Sequence, residues 1–161
     1  MVNRVLIHTT RFSDIDVAED RVIRFPEGLI GFEQQRRFAL ITRGNSPFMW
    51  LQSLDDPGLA FAVTDPLIFV PGYSVTPDED TIASLEAESP VDLRYLAIAV
   101  VPSDPSQTSL NLQAPIAVNH ARRMARQIVT MNPEHPLKYY VFQQRADAPS
   151  RTPGFGERRE D

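Results

Sequence analysis

The chain has 161 residues, 42% hydrophobic and 23% charged, with 14 prolines, 7 glycines and no cysteine. That length suits one unit able to bury enough apolar surface without a metal or disulfide staple. The missing cysteines exclude a disulfide scaffold, a Cys-type zinc site, a ligated iron–sulfur cluster and a cysteine nucleophile. Net charge is -5, made of -8 over residues 1–110 and +3 over residues 111–161. An acidic body disfavours non-specific nucleic-acid binding; it favours encounter with a basic partner if the acids share a face, the alternative being a solvated acidic surface that aids solubility. The first residues lack the apolar stretch of a signal peptide, and no run approaches the roughly 18 apolar residues of a membrane span. The expected location is cytoplasmic, with no membrane partner.

Residues 2–7 form an apolar run interrupted by Asn3 and Arg4. Residues 21–25 alternate at period two and stop at Pro26-Glu27-Gly28. Gly28 and Gly31 bracket Leu29 and Ile30, an apolar loop expected to tuck onto the core. Residues 33–37 are polar and read as one helical turn. Residues 38–42 and 48–53 read as strands around the turn cluster 43–47. Asp55-Asp56-Pro57-Gly58 is a strong turn signal, with Pro57 fixing φ and Gly58 permitting a positive φ. Residues 48–63 therefore read as a hairpin. The apolar segment 66–73, with Pro66 and Pro71 around residues 67–70, suits a sheet edge or a bend.

Thr76, Pro77 and Glu79 spell a capping box, and Asp78, Glu79 and Asp80 suit the positive end of a helix. That helix is expected to run to Leu85, with Ile82 and Leu85 as its apolar stripe. Residues 93–101 are the strongest strand, apolar enough for a core position. Residues 109–112 and 116–118 are extended around Pro115, and 119–126 read as a helical turn or polar crossover. Residues 127–131 and 139–142 read as the last strands. Residues 1–146 are thus expected to form a single β-rich domain, and 147–161 a disordered charged tail. The expected fold is mainly β, a small antiparallel β-barrel or sandwich-like domain with one or two short helices.

Little here carries catalysis. There is no Gly-rich phosphate loop, nucleophile elbow or H-E-x-x-H pair. Asp78, Asp80 and Glu86 sit near calcium-loop spacing, but Ile82 occupies an oxygen-ligand position and the central glycine is missing. His8, His120 and His135 are far apart in sequence, so no metal and no cofactor is expected. Asp55 and Asp56 read as turn residues rather than a hydrolytic pair. Arg122, Arg123 and Arg126 form a basic cluster without the interleaved aromatics of an RNA-binding sheet. The reading is a non-enzymatic protein. A small carboxylate-based hydrolase and a direct nucleic-acid-binding domain are the alternatives.

One set of residues is informative as an ordered pattern. It begins Arg24-Phe25-Pro26-Glu27-Gly28-Leu29-Ile30-Gly31-Phe32, then Phe38, Leu51-Gln52-Ser53, Pro57, Phe61-Ala62-Val63, Asp65-Pro66 and Tyr73. Asn111-Leu112-Gln113-Ala114-Pro115-Ile116-Ala117-Val118-Asn119 and Arg126-Gln127-Ile128-Val129 complete it. In that order and spacing, residues 1–146 resemble the flagellar assembly factor FliW family. One departure is Ala125, where the family pattern places a glycine before the Arg-Gln pair. The resemblance implies a non-enzymatic, cytoplasmic β-barrel protein. It also implies binding to CsrA, a dimeric RNA-binding translational repressor, and allosteric relief of its action on flagellin translation. Flagellin, in turn, would sequester the protein.

Phe25, Pro26, Gly28, Gly31, Phe32, Gln52, Asn111, Pro115, Asn119 and Gln127 read as mainly structural members of that pattern. The candidate partner-facing residues are acids: Asp55 and Asp56 on the hairpin turn, with Asp78, Asp80, Glu86 and Glu88 around the short helix. These acids, rather than the arginine cluster, are expected to face a basic repressor.

Overall fold

A computed structural model describes residues 3–142. The expected tail, 147–161, lies outside the described residues. The chain opens with an antiparallel hairpin of β1 (Arg4–Thr9) and β2 (Ser13–Ala18). β2 is absent from the expected elements, although Asp14-Ile15-Asp16-Val17 alternates at the strand period. The hairpin docks through its tip. Thr10 N–H donates to the Pro57 carbonyl, Arg11 lies 4.1 Å above the Trp50 ring, and Phe12 meets the same ring edge-on.

The remaining strands are β3 (Val22–Arg24), β4 (Arg37–Thr42), β5 (Phe48–Ser53), β6 (Ala60–Thr64), β7 (Leu93–Val100), β8 (Ser109–Asn119), β9 (Met124–Gln127) and β10 (Tyr139–Tyr140). They adopt the order β10-β8-β7-β6-β5-β4-β3-β9, and β9 pairs back onto β8. Strands β3 to β9 therefore close a seven-stranded barrel, which decides between barrel and sandwich. β10 lies outside the ring, on the first residues of β8. All pairings are antiparallel except β3 with β9, whose register is Arg24 against Met124.

Alternation along the strands explains the core. Ile23, Phe25, Phe38, Leu51, Val63, Ile116, Val118 and Ala125 pack into one buried cluster inside the barrel. Phe25 and Phe38 meet edge-on at 5.0 Å. On β8, Ile116 and Val118 join this cluster, while Ala117 packs with Leu85, Leu93 and Met124 in a second one beneath the helix. Both faces of that part of β8 are covered, so it is apolar throughout.

Several local expectations are corrected. The helix α1 is Glu79–Ser84, and its N-cap is Asp78, whose side chain accepts from Thr81 N–H. Six residues do not hold a helix alone. Leu85, 1% exposed, anchors it, and Asn119 Nδ2 donates to the Leu85 carbonyl at 2.8 Å. Residues 33–37 form a turn and the start of β4, not a helical turn. Segment 66–73 takes the second of its two expected forms, a bend, and contains the 3-10 turn Pro66–Ile68. Residues 120–123 make a tight turn, so β9 begins at Met124 rather than at residue 127. Gly58 does not take a positive φ. Leu29 is buried as expected, but its neighbour Ile30 is 56% exposed.

Leu85→Ala removes the anchor and leaves a cavity, and is expected to destabilise the barrel by about 3 kcal/mol in urea unfolding. A negligible change would show that the helix is not held by this side chain.

Candidate partner-binding surface

The motif glycines and amides build loops. Gly28 sits at φ +66°, and a Cβ there would lie 2.6 Å from Glu33 Cα. Only glycine tolerates both the conformation and the approach. Gly31 N–H donates to Glu33 Oε2, and Phe32 meets Phe61 edge-on at 5.2 Å. Pro26 is exposed at the turn after β3. Gln127 spans two elements: its Oε1 accepts from Ile30 N–H at 2.9 Å, and its Nε2 donates to the Ala114 carbonyl at 3.1 Å. Asn111 Oδ1 accepts from the N–H groups of Gln113 and Ala114, where β8 bends toward Pro115. Gln52 is fully buried, and its Nε2 faces the carbonyls of Ser53, Pro57 and Leu59 across the β5–β6 connection. Ala125, where the resemblance implies a glycine, is a buried strand residue. The left-handed residue in this region is Arg123, at φ 55°.

The candidate acids are less free than their charge suggests. Asp78 caps α1, and the Thr81 N–H and hydroxyl hold its carboxyl below the ordinary value. Asp80 Oδ2 accepts from Arg126 Nη1 at 2.9 Å; the same nitrogen reaches Ser84 Oγ, and Arg126 Nε lies 3.6 Å from Glu27 Oε1. The Asp80 bond, above all, raises the pKa of Arg126. Glu86, in the left-handed region just past the helix, lies 3.8 Å from Arg122 Nη1. Glu88 is exposed, and its carboxylate has no partner among the described residues. Asp56 Oδ1 accepts from Gly58 N–H in the turn.

Asp55 is the most committed of the six. Its Oδ2 accepts from Arg36 N–H at 2.9 Å and Arg37 N–H at 3.2 Å, and its Oδ1 from Arg37 Nη2 at 3.2 Å. Partial burial pushes its pKa upward, but these donors outweigh it and hold the carboxyl below the ordinary aspartate value. Sequence reasoning missed the other half of this surface. Arg37 and Arg122 line one cleft, so the arginines bonded to Asp55 and Glu86 meet there. One hairpin acid, Asp55, and one helix acid, Glu86, thus flank this cleft, while Asp80 is held by Arg126 outside it. Among the described residues, no cluster of three His, Asp or Glu side chains is arranged to hold a metal ion, and no helix is long and apolar enough to cross a membrane.

Because the folded pKa of Asp55 is depressed, its contribution is present above the unfolded aspartate pKa and lost as pH falls through the folded one. Asp55→Asn is expected to destabilise the barrel by about 1 kcal/mol at neutral pH, the usual scale of a partly exposed charge-assisted bond. Below the folded pKa the two proteins should unfold alike. A difference that persists there would assign the effect to shape rather than charge.

The FliW family model, described as FliW protein, matches residues 6–141. The flagellar assembly factor FliW of Syntrophus aciditrophicus is 36% identical over 140 residues, covering 86% of this chain and 89% of that protein. Its counterpart in Treponema denticola is 37% identical over 136 residues, covering 84% of this chain and 92% of that protein. A crystal structure of the flagellar assembly factor FliW superposes with a TM-score of 0.78 at 30% identity, over 86% of this chain and 97% of that one. With the barrel, its closing strand and the glycine-and-amide loops all inside the matched span, the chain belongs to the FliW family of flagellar assembly factors.

Proposed function

We propose that this protein is a non-enzymatic, cytoplasmic antagonist of the translational repressor CsrA. By capturing the repressor allosterically it relieves repression of flagellin translation, and flagellin sequesters it in turn. The observation that carries this reading is family membership across the whole barrel. Charge supports it from a second side. A repressor that binds RNA presents basic surface, and residues 1–110 of this chain carry -8. The candidate faces are the hairpin turn at Asp55 and Asp56, and the helix surroundings at Asp78, Asp80, Glu86 and Glu88.

A pull-down with CsrA and flagellin from the same organism tests the reading directly. Each partner should be retained at micromolar protein, and failure to retain either one, with circular dichroism still showing the β-fold, sinks it. RNA alone should show no salt-dependent shift with the protein.

Charge steering has its own test, which avoids the structurally committed Asp55 and Asp78. Asp56→Asn and the double variant Glu86→Gln/Glu88→Gln should each slow association with the basic repressor at low salt, and the deficit should shrink as salt rises. Wild-type association rates in both variants at every salt concentration would move the contact to another surface. The exposed Ile30 beside Leu29 is the next candidate.

A further inference from the structure

In a chain of net charge -5, one end of the barrel gathers arginines in register. Arg24 of β3 stands directly opposite Arg37 of β4. On its other side Arg24 is registered with Met124 of β9, and its N–H donates to the Arg123 carbonyl at 2.9 Å. Like charges directly opposite on neighbouring strands repel, so the fold alone gives no reason for this row. Arg123 adds a second departure, since it holds the left-handed region that favours glycine.

These three arginines and Arg122 line an open cleft of about 300 Å³. Among the described residues most of their donors are unspent. Arg37 gives one bond to Asp55, Arg123 one to the Glu19 carbonyl, and Arg122 stands 3.8 Å from Glu86. Arg24, exposed at the centre of the row, has no side-chain partner among the described residues. Val22 and Leu54 supply apolar wall, and Glu19 lines the same cleft.

We propose that this cleft is a binding site for an acidic peptide segment, one that presents a carboxylate to the arginine row and an aliphatic side chain to Val22 and Leu54. A guanidinium fork matches a carboxylate with paired hydrogen bonds, and the apolar wall suits the side chain next to it. A nucleic acid fits less well. Its strand would run past Glu19, Asp55 and Glu86, and among the described residues no aromatic side chain lines the cleft to stack a base. The site takes the opposite charge from the candidate repressor-facing acids, and the argument for it does not rest on the function proposed above, although Arg122 and Glu86 join the two surfaces.

Fluorescence anisotropy with the full chain tests the proposal. The probe is a fluorescein-labelled hexapeptide alternating Glu and Leu; the controls are the same peptide with Gln for Glu and a labelled single-stranded RNA. The Glu peptide should bind saturably, the Gln peptide should not, and Arg24→Gln should weaken binding about tenfold, the scale of one lost charge-assisted contact. The free Arg24→Gln protein should melt no lower than wild type, because the substitution removes a like-charge pair. Unchanged peptide affinity in Arg24→Gln, no saturable binding of the Glu peptide, or tighter binding of RNA than of peptide would each overturn the proposal. A lower melting temperature in Arg24→Gln would assign the row to the fold and overturn it as well.

Discussion

A barrel closes only if its last strand reaches its first, and here four residues make that reach. β9 pairs with β8 at Ile116 to Asn119 on one side and with Arg24 of β3 on the other. It has room beside β8 because β10 occupies only the first two positions of that edge. β8 itself does not run straight. Its register against β7 jumps from Asn111 opposite Ile98 to Ile116 opposite Leu96. The residues in the jump turn their carbonyls toward the end of β9 and the segment just beyond it. Gln113 accepts from Thr130 N–H, Ala114 from Gln127 Nε2, and Pro115 from Ile128 N–H. Pro115 has no N–H to lose from a ladder, so a bulge is where a proline fits in a central strand. The irregularity is what ties the closing strand down.

Irregular backbone inside a barrel leaves polar groups to satisfy, and this chain does so with amide side chains. Asn111 covers two N–H groups in the bulge, Gln127 joins that bulge to the Leu29 loop, and Asn119 covers the carbonyl at the end of α1. Gln52 serves the β5–β6 connection, although its Oε1 is buried without a partner among the described residues. At Asn119 an alanine would leave the buried Leu85 carbonyl without this donor, which is costlier than losing one exposed hydrogen bond. In this fold Asn111, Gln127, Asn119 and Gln52 therefore serve irregular backbone.

The long strands were legible in the sequence because burial on both faces leaves continuous apolar runs, as in β5 and β7. β9 was not, since Met-Ala-Arg-Gln is short, half polar and carries no β-branched residue. The start of α1 was blurred because Thr76 and Asp78 are both good caps. Asp78 prevails, as an ionised carboxylate bonds an N–H and meets the helix dipole more strongly than a hydroxyl does. The acids of the candidate surface were visible as charge, but their partners were not. Asp55 bonds residues 18 and 19 positions away, and Asp80 bonds one 46 positions away. Such pairings exist only once the barrel has closed.

Pairing changes what the acidic surface does for recognition. An acid bonded to an arginine contributes little to the distant field, so attraction of a basic partner falls to unspent carboxylates such as Glu88, and specificity falls to geometry. The seam between the acids and the arginine row also links the two surfaces. On the two proposed sites, a basic partner taking Glu86 would release Arg122 toward the cleft, and an acidic segment taking Arg122 would release Glu86. Both side chains are more than half exposed and 3.8 Å apart, so the pair holds at most about 1 kcal/mol. Coupling through it is limited to about fivefold. A larger mutual effect between an acidic and a basic ligand would have to come from backbone movement in the tight turn that carries Arg122 and the left-handed Arg123.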